Sequence, residues 1–173
     1  MDAPAFEKTV RRNKQLSMAN SVISAVATMT TTGTLMQTFL AALGLPANYI
    51  YIHATLTQAV NILVLLLSAG WVRRDNAIRY SALSALVYGL LFLGVIPFCL
   101  RQSAAAEVFF WLVIIGALQA AALGLNTVCS YILPYLLYPA EDYGPFQSVT
   151  GVVSSVVSLA LGALVSLLVS VLP

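Results

Sequence analysis

Charge is what this sequence has least of. Of its 173 residues only 8% are Asp, Glu, Lys or Arg, against roughly a quarter in soluble domains, whose wet surfaces need ionised side chains. That scarcity excludes a water-soluble globular protein, because there are too few charges to cover a solvated surface. It also removes nucleic acid from the expected partners. Histidine and cysteine are nearly absent too, at one and two residues. No Cys-x-x-Cys or Cys/His spacing occurs, so neither a metal nor another cofactor is expected. Cys99 and Cys129 both fall in apolar stretches, where a thiol behaves as a small hydrophobe. No HExxH, serine elbow or phosphate loop accompanies His53, and Glu107 belongs to no carboxylate pair. An enzyme is therefore not expected. Residues 1–15 lack an apolar core, which excludes a signal peptide there. No short repeat stands out.

What the chain does contain is apolar sequence. Hydrophobic residues make up 60% and the mean hydropathy is +0.92, so the solvent for most of the chain is lipid. An outer-membrane barrel would alternate apolar and polar residues. The run Asn61-Ile-Leu-Val-Leu-Leu-Leu67 does not alternate, and the expected fold class is an all-α membrane protein. A helix needs roughly 20 apolar residues to cross about 30 Å of hydrocarbon, which leaves room for about five crossings.

Polar punctuation sets their bounds. A basic stretch at 1–15 is followed by a transmembrane domain over 16–173, with segments near 16–43, 49–72, 77–100, 104–134 and 146–172. Gly44-Leu-Pro46-Ala-Asn48 reads as a turn, since Gly and Asn tolerate reversal and Pro restricts its predecessor. As one straight helix the fourth apolar stretch would reach about 51 Å. Pro134 is therefore expected to bend or end it, leaving Tyr135–Pro145 as an interfacial loop with Glu141 and Asp142.

The basic residues are unevenly placed. Seven of the eight (Lys8, Arg11, Arg12, Lys14, Arg73, Arg74 and Arg79) share one side of a five-helix layout, and Arg101 stands alone on the other. Lys and Arg collect on the cytoplasmic side, so the expected address is the cell membrane with a cytoplasmic amino terminus. Tyr49, Tyr51, Trp71, Tyr80, Tyr138 and Tyr143 fall at the expected boundaries, where amphipathic rings prefer to sit.

Two segments carry uncharged polar residues at helical spacing. Asn20, Ser24, Thr28 and Thr31 share one face of the first, and Gln37 continues the polarity. Gln119, Asn126 and Ser130 lie close to one stripe of the fourth. Amides in hydrocarbon are costly without partners. These faces either line a substrate pathway or hydrogen-bond helix to helix. The fifth segment differs: Gly151, Ser155, Ser158, Gly162 and Ser166 form a stripe of small residues, which reads as helix packing, within this chain or with another.

The order of features resembles the amino-terminal half of the major facilitator superfamily. Ala42-Leu-Gly44-Leu-Pro46 stands at the first turn, and the 73–79 link stands where the family carries G-x-x-x-D-[RK]-x-G-[RK]. Asp75 and Arg79 match that motif; Trp71, Asn76 and Ile78 depart from it. Pro134-Tyr-Leu-Leu-Tyr-Pro-Ala-Glu-Asp-Tyr-Gly144 followed by Phe146-Gln-Ser-Val-Thr-Gly151 resembles the corresponding region of oxalate/formate antiporter and monocarboxylate transporter relatives. The resemblance implies an incomplete secondary transporter for a small solute, such as an organic anion. It gives the first and fourth helices to the cavity and Asp75 and Arg79 to the gating loop. The fold has twelve helices in two halves, so the expected partners are the bilayer, the solute, and a missing carboxyl-terminal half or another copy. The alternative is a small non-catalytic membrane subunit that assembles through its fifth helix.

Overall fold

A computed structural model of the chain describes residues 3–31, 34–100 and 105–171, with side chains described over 7–29, 36–94, 107–164 and at 167. Seven helices occur among these residues, and no strand. They are α1 (Ala3–Thr31), α2 (Thr34–Ala42), α3 (Ala47–Ser68), α4 (Ala77–Leu100), α5 (Ala105–Ile132), α6 (Pro134–Leu137) and α7 (Ala140–Val171).

Four stretches among the described residues are long and apolar enough to cross a membrane: Ala47–Ser68, Ala77–Gly94, Glu107–Ile132 and Ala140–Leu164. The chain is an all-α, multi-pass membrane protein. The expected first crossing over 16–43 is not among the four. Its described residues belong to α1 and α2, and residues 32 and 33 lie outside the described part. Helix α1 begins at Ala3 and runs through Glu7, Lys8, Arg11, Arg12 and Lys14. Good helix formers such as Lys, Arg and Glu sustain it there. Helix α2, with 9 residues, reaches only about 14 Å.

The turn after α2 is built on Gly44, whose φ of 74° lies in the left-handed region that only glycine enters without cost. Gly44 N–H donates to Ala41 O at 2.9 Å and Leu45 N–H to Leu40 O at 3.3 Å. Those two bonds make a Schellman cap. Leu40 and Leu45 then join Met36, Val108 and Leu112 in one apolar core, and Tyr49 meets Phe109 edge-on with centroids 4.8 Å apart.

After Ile132 the chain makes a single turn, α6, with Pro134 in its first turn. Helix α7 then starts at Ala140, so of the expected 135–145 loop only Tyr138 and Pro139 lie outside a helix. Pro145 lies inside α7 in its second turn, where its missing N–H leaves the Glu141 carbonyl without an intrahelical donor. Glu141 and Asp142 occupy the first turn, the end of a helix that favours negative charge.

The chain divides into two compact units, one of Met1–Met29 with Leu133–Pro173 and one of Thr30–Ile132. In the second, α5 is central and packs against both α3 and α4. In the first, Lys14 Nζ meets Asp142 Oδ2 at 2.9 Å and Asn13 Nδ2 donates to Leu137 O at 3.3 Å. Tyr138, expected at a membrane boundary, is instead buried and packs on Phe146 at 5.0 Å.

Candidate functional site

The polar residues of α3 recur at four-residue intervals, His53, Thr57 and Asn61, and so share one face. Opposite them α5 presents Gly116, Ala120 and Gly124 at the same interval. Small residues at this spacing let helix backbones approach closely. The approach leaves no room for more. A Cβ on Gly116 would stand 2.7 Å from His53 Nε2, and one on Gly124 would stand 2.8 Å from the Asn61 carbonyl oxygen. Asn61 Nδ2 also donates to Ala120 O at 3.2 Å, an interhelical bond. The paired numbers rise together along α3 and α5, so the two helices run parallel.

His53 is only 1% exposed. The Leu112 carbonyl accepts a hydrogen bond from its ring, while Nε2 has no partner. With one ring nitrogen donating, the other is a bare acceptor in the neutral tautomer. Thr57 satisfies itself within α3, donating to His53 O at 2.9 Å and sharing Ala54 O at 3.0 Å.

On α5, Gln119 and Asn126 lie two turns apart on one face, as the sequence spacing implied, and the structure gives them different surroundings. Asn126 Oδ1 accepts the Ser81 hydroxyl of α4 at 3.0 Å. The Ser84 hydroxyl, which donates to Ser81 O at 2.9 Å, stands 3.5 Å from the same oxygen. Gln119 is 1% exposed, and its Oε1 is buried without a partner. The described part of the bundle thus holds two orphan acceptors, one on each of two adjoining helices. Ser130 is exposed, and its hydroxyl is used by Thr127 O at 2.7 Å.

The α1 face has a different character. Thr28 is exposed and its hydroxyl donates back to Ser24 O at 2.9 Å, while Asn20 and Ser24 are half-buried. The Thr31 side chain lies outside the described residues, as do those of Ser166 and Cys99 and all of Arg101. Gln37 and Glu107 are exposed.

In the α3–α4 link, Asp75 and Arg79 are both exposed, and no bond joins them among the described residues. Asn76 shapes this link. Its Oδ1 accepts Arg73 N–H at 2.7 Å, its Nδ2 donates to Trp71 O at 3.1 Å, and its own carbonyl accepts Tyr80 N–H at 3.0 Å. It stands at the N-cap of α4, a position that asparagine favours.

The small-residue stripe of α7 lies open. Gly151 and Ser155 are exposed, a Cβ on Gly151 would meet nothing within 4 Å, and one on Gly162 would meet only Met29 Cε at 3.8 Å. Ser155 donates to Gly151 O at 2.9 Å, and Ser158 is half-buried. Close helix approach occurs on α5, at glycines whose spacing matches the same rule. His53 read singly hid the face that Thr57 and Asn61 complete with it.

No family model, curated protein or solved structure matches this chain.

Proposed function

We propose that the chain moves a small solute across the cell membrane as part of a secondary transporter of the major facilitator type, with an organic anion as the solute class. The observation that carries this reading is Gln119, wholly buried in a membrane-crossing helix with its amide oxygen unpartnered. A buried acceptor without a donor costs about 1–3 kcal/mol, and an apolar side chain of similar shape would avoid that cost. Water travelling with the solute would supply the donor that this oxygen lacks, since an organic anion such as formate offers acceptors only. Asn20, Ser24, Thr28 and Thr31 are further candidate lining residues in this reading, and Asp75 and Arg79 act in the gating link. The amino terminus is cytoplasmic, and a second half or another copy supplies the facing wall. No catalysis is involved.

Uptake of radiolabelled formate, oxalate and lactate into proteoliposomes tests the reading, using the protein of the full reading frame. Saturable uptake of one of them, cut about tenfold by Gln119→Leu as expected for one lost hydrogen bond, supports it. Absence of saturable uptake, or uptake indifferent to that substitution, sinks it.

The second reading, a non-catalytic membrane subunit, is favoured by the exposed Gly151 and Ser155 on α7. Crosslinking in membranes discriminates, with Gly162→Leu as control. A specific oligomer lost on that substitution supports the subunit, and a monomer argues against it.

A further inference from the structure

The α3–α4 link closes one end of an open pocket of ≈ 250 Å³ between α3, α4 and α5. Val64, Leu67, Val72 and Leu125 form its apolar wall, and Trp71 and Tyr80 complete it. Ser68, the polar residue of the wall, is buried, and its hydroxyl is turned to Leu65 O at 3.4 Å. The pocket is smaller than the roughly 300–1,000 Å³ that encloses a drug-sized ligand. It suits a single hydrocarbon chain. It is open along Trp71, which is 66% exposed.

The residues flanking this wall carry charge. Arg73 and Arg74 follow Val72, and Arg79 precedes Tyr80; all three are exposed. Against these three cations the link holds one acid, the exposed Asp75, so its balance is +2. An apolar slot ending at a cationic link is complementary to a molecule with a hydrocarbon chain and an anionic head. In the bilayer that molecule is at hand.

We infer that this pocket is a specific site for an anionic phospholipid, with one acyl chain between α3, α4 and α5 and its phosphate at Arg73 and Arg79. Arginine suits the head because its planar guanidinium pairs with phosphate oxygens two at a time. Its apolar stem lies along hydrocarbon while the charge stays at the interface. Bulk attraction of a basic link to an anionic surface needs no pocket, and this difference makes the inference testable.

Trp71 lines the pocket and is one of two tryptophans, so Trp111→Phe leaves it as the only indole reporter. The full chain carrying this change is placed in phosphatidylcholine vesicles. These contain equal mole fractions of either brominated phosphatidylglycerol or brominated phosphatidylcholine, and bromine quenches indole fluorescence on contact. Stronger quenching by the glycerol lipid is expected, with the preference falling about fivefold for each of Arg73→Gln and Arg79→Gln. Val64→Phe or Leu125→Phe, which fill the slot, should abolish the preference while circular dichroism stays unchanged. Equal quenching by the two lipids overturns the site. So does a preference that survives both filling substitutions, since that is surface attraction alone.

Discussion

Helices α5 and α7 both carry stripes of small residues, and among the described residues only that of α5 is pressed closely against another helix. In α5, 44% of the membrane-crossing stretch is buried, against 6% in α7. Gly116 and Gly124 are pressed against α3 so closely that a methyl group has no place. Gly151 faces open space. The stripes look alike as sequence because each permits close approach. Contact also requires a facing surface that gains from it, and α3 supplies one: His53 and Asn61 bring polar groups that α5 backbone carbonyls receive at Leu112 and Ala120.

The sharpest way to break this contrast is to add a methyl group to each stripe. Gly124→Ala should cost about 1–3 kcal/mol, the usual range for overpacking, because the atom it meets is backbone and cannot rotate away. Gly116→Ala should cost somewhat less, since the His53 ring can turn aside. Gly151→Ala should be neutral or stabilising by up to about 1 kcal/mol, from helix propensity alone. Thermal unfolding in detergent followed by circular dichroism measures all three. A Gly124→Ala protein as stable as Gly151→Ala would end the distinction.

A smaller effect sharpens it. A double-mutant cycle of Ser81→Ala with Asn126→Ala should return a coupling near 0.6 kcal/mol, typical of interhelical hydrogen bonds in membranes. A coupling indistinguishable from zero would show that this bond does not help hold α4 to α5. In the other unit, Lys14→Gln should cost at most about 1 kcal/mol, because the pair with Asp142 is partly solvated. That loss should shrink with added salt.

The smallest effect is on pH dependence. Burial pushes the Tyr138 phenol above its ordinary value, with Ser17 and the Lys14 charge pulling the other way. The folded form therefore favours the neutral phenol. Its contribution is complete below the unfolded value near 10 and is lost as pH rises through the higher folded value. Tyr138→Phe should remove this alkaline component of instability, so that unfolding midpoints taken from pH 8 to 11 fall less steeply than in the unaltered chain.

Helical class and membrane residence were legible from the scarcity of charge and the lengths of the apolar runs, because both follow from what lipid demands. The start of α1 was not. Polar helix formers carry it back to Ala3 through residues that read as a flank. The 135–145 region hid its helix behind Pro145, since proline is read as a breaker although a helix tolerates it near its start. At the site, the spacing of Gln119 and Asn126 showed a shared face. It could not show that Asn126 finds Ser81 while Gln119 finds no partner for its oxygen, because that depends on which neighbour stands opposite. The face of His53, Thr57 and Asn61 was written plainly at four-residue intervals, as was Gly116, Ala120 and Gly124. Only together do they mean contact.

The matched intervals of α3 and α5 have a mechanical consequence. Both helices repeat their fitting residues every four positions, about 6 Å of rise, with Ala120 between two glycines. A small axial slide drives the Asn61 carbonyl out of the notch at Gly124 and toward the methyl group of Ala120, so intermediate positions are strained. The parallel pair is toothed rather than smooth. The notch at Gly124 fixes the axial position of the pair.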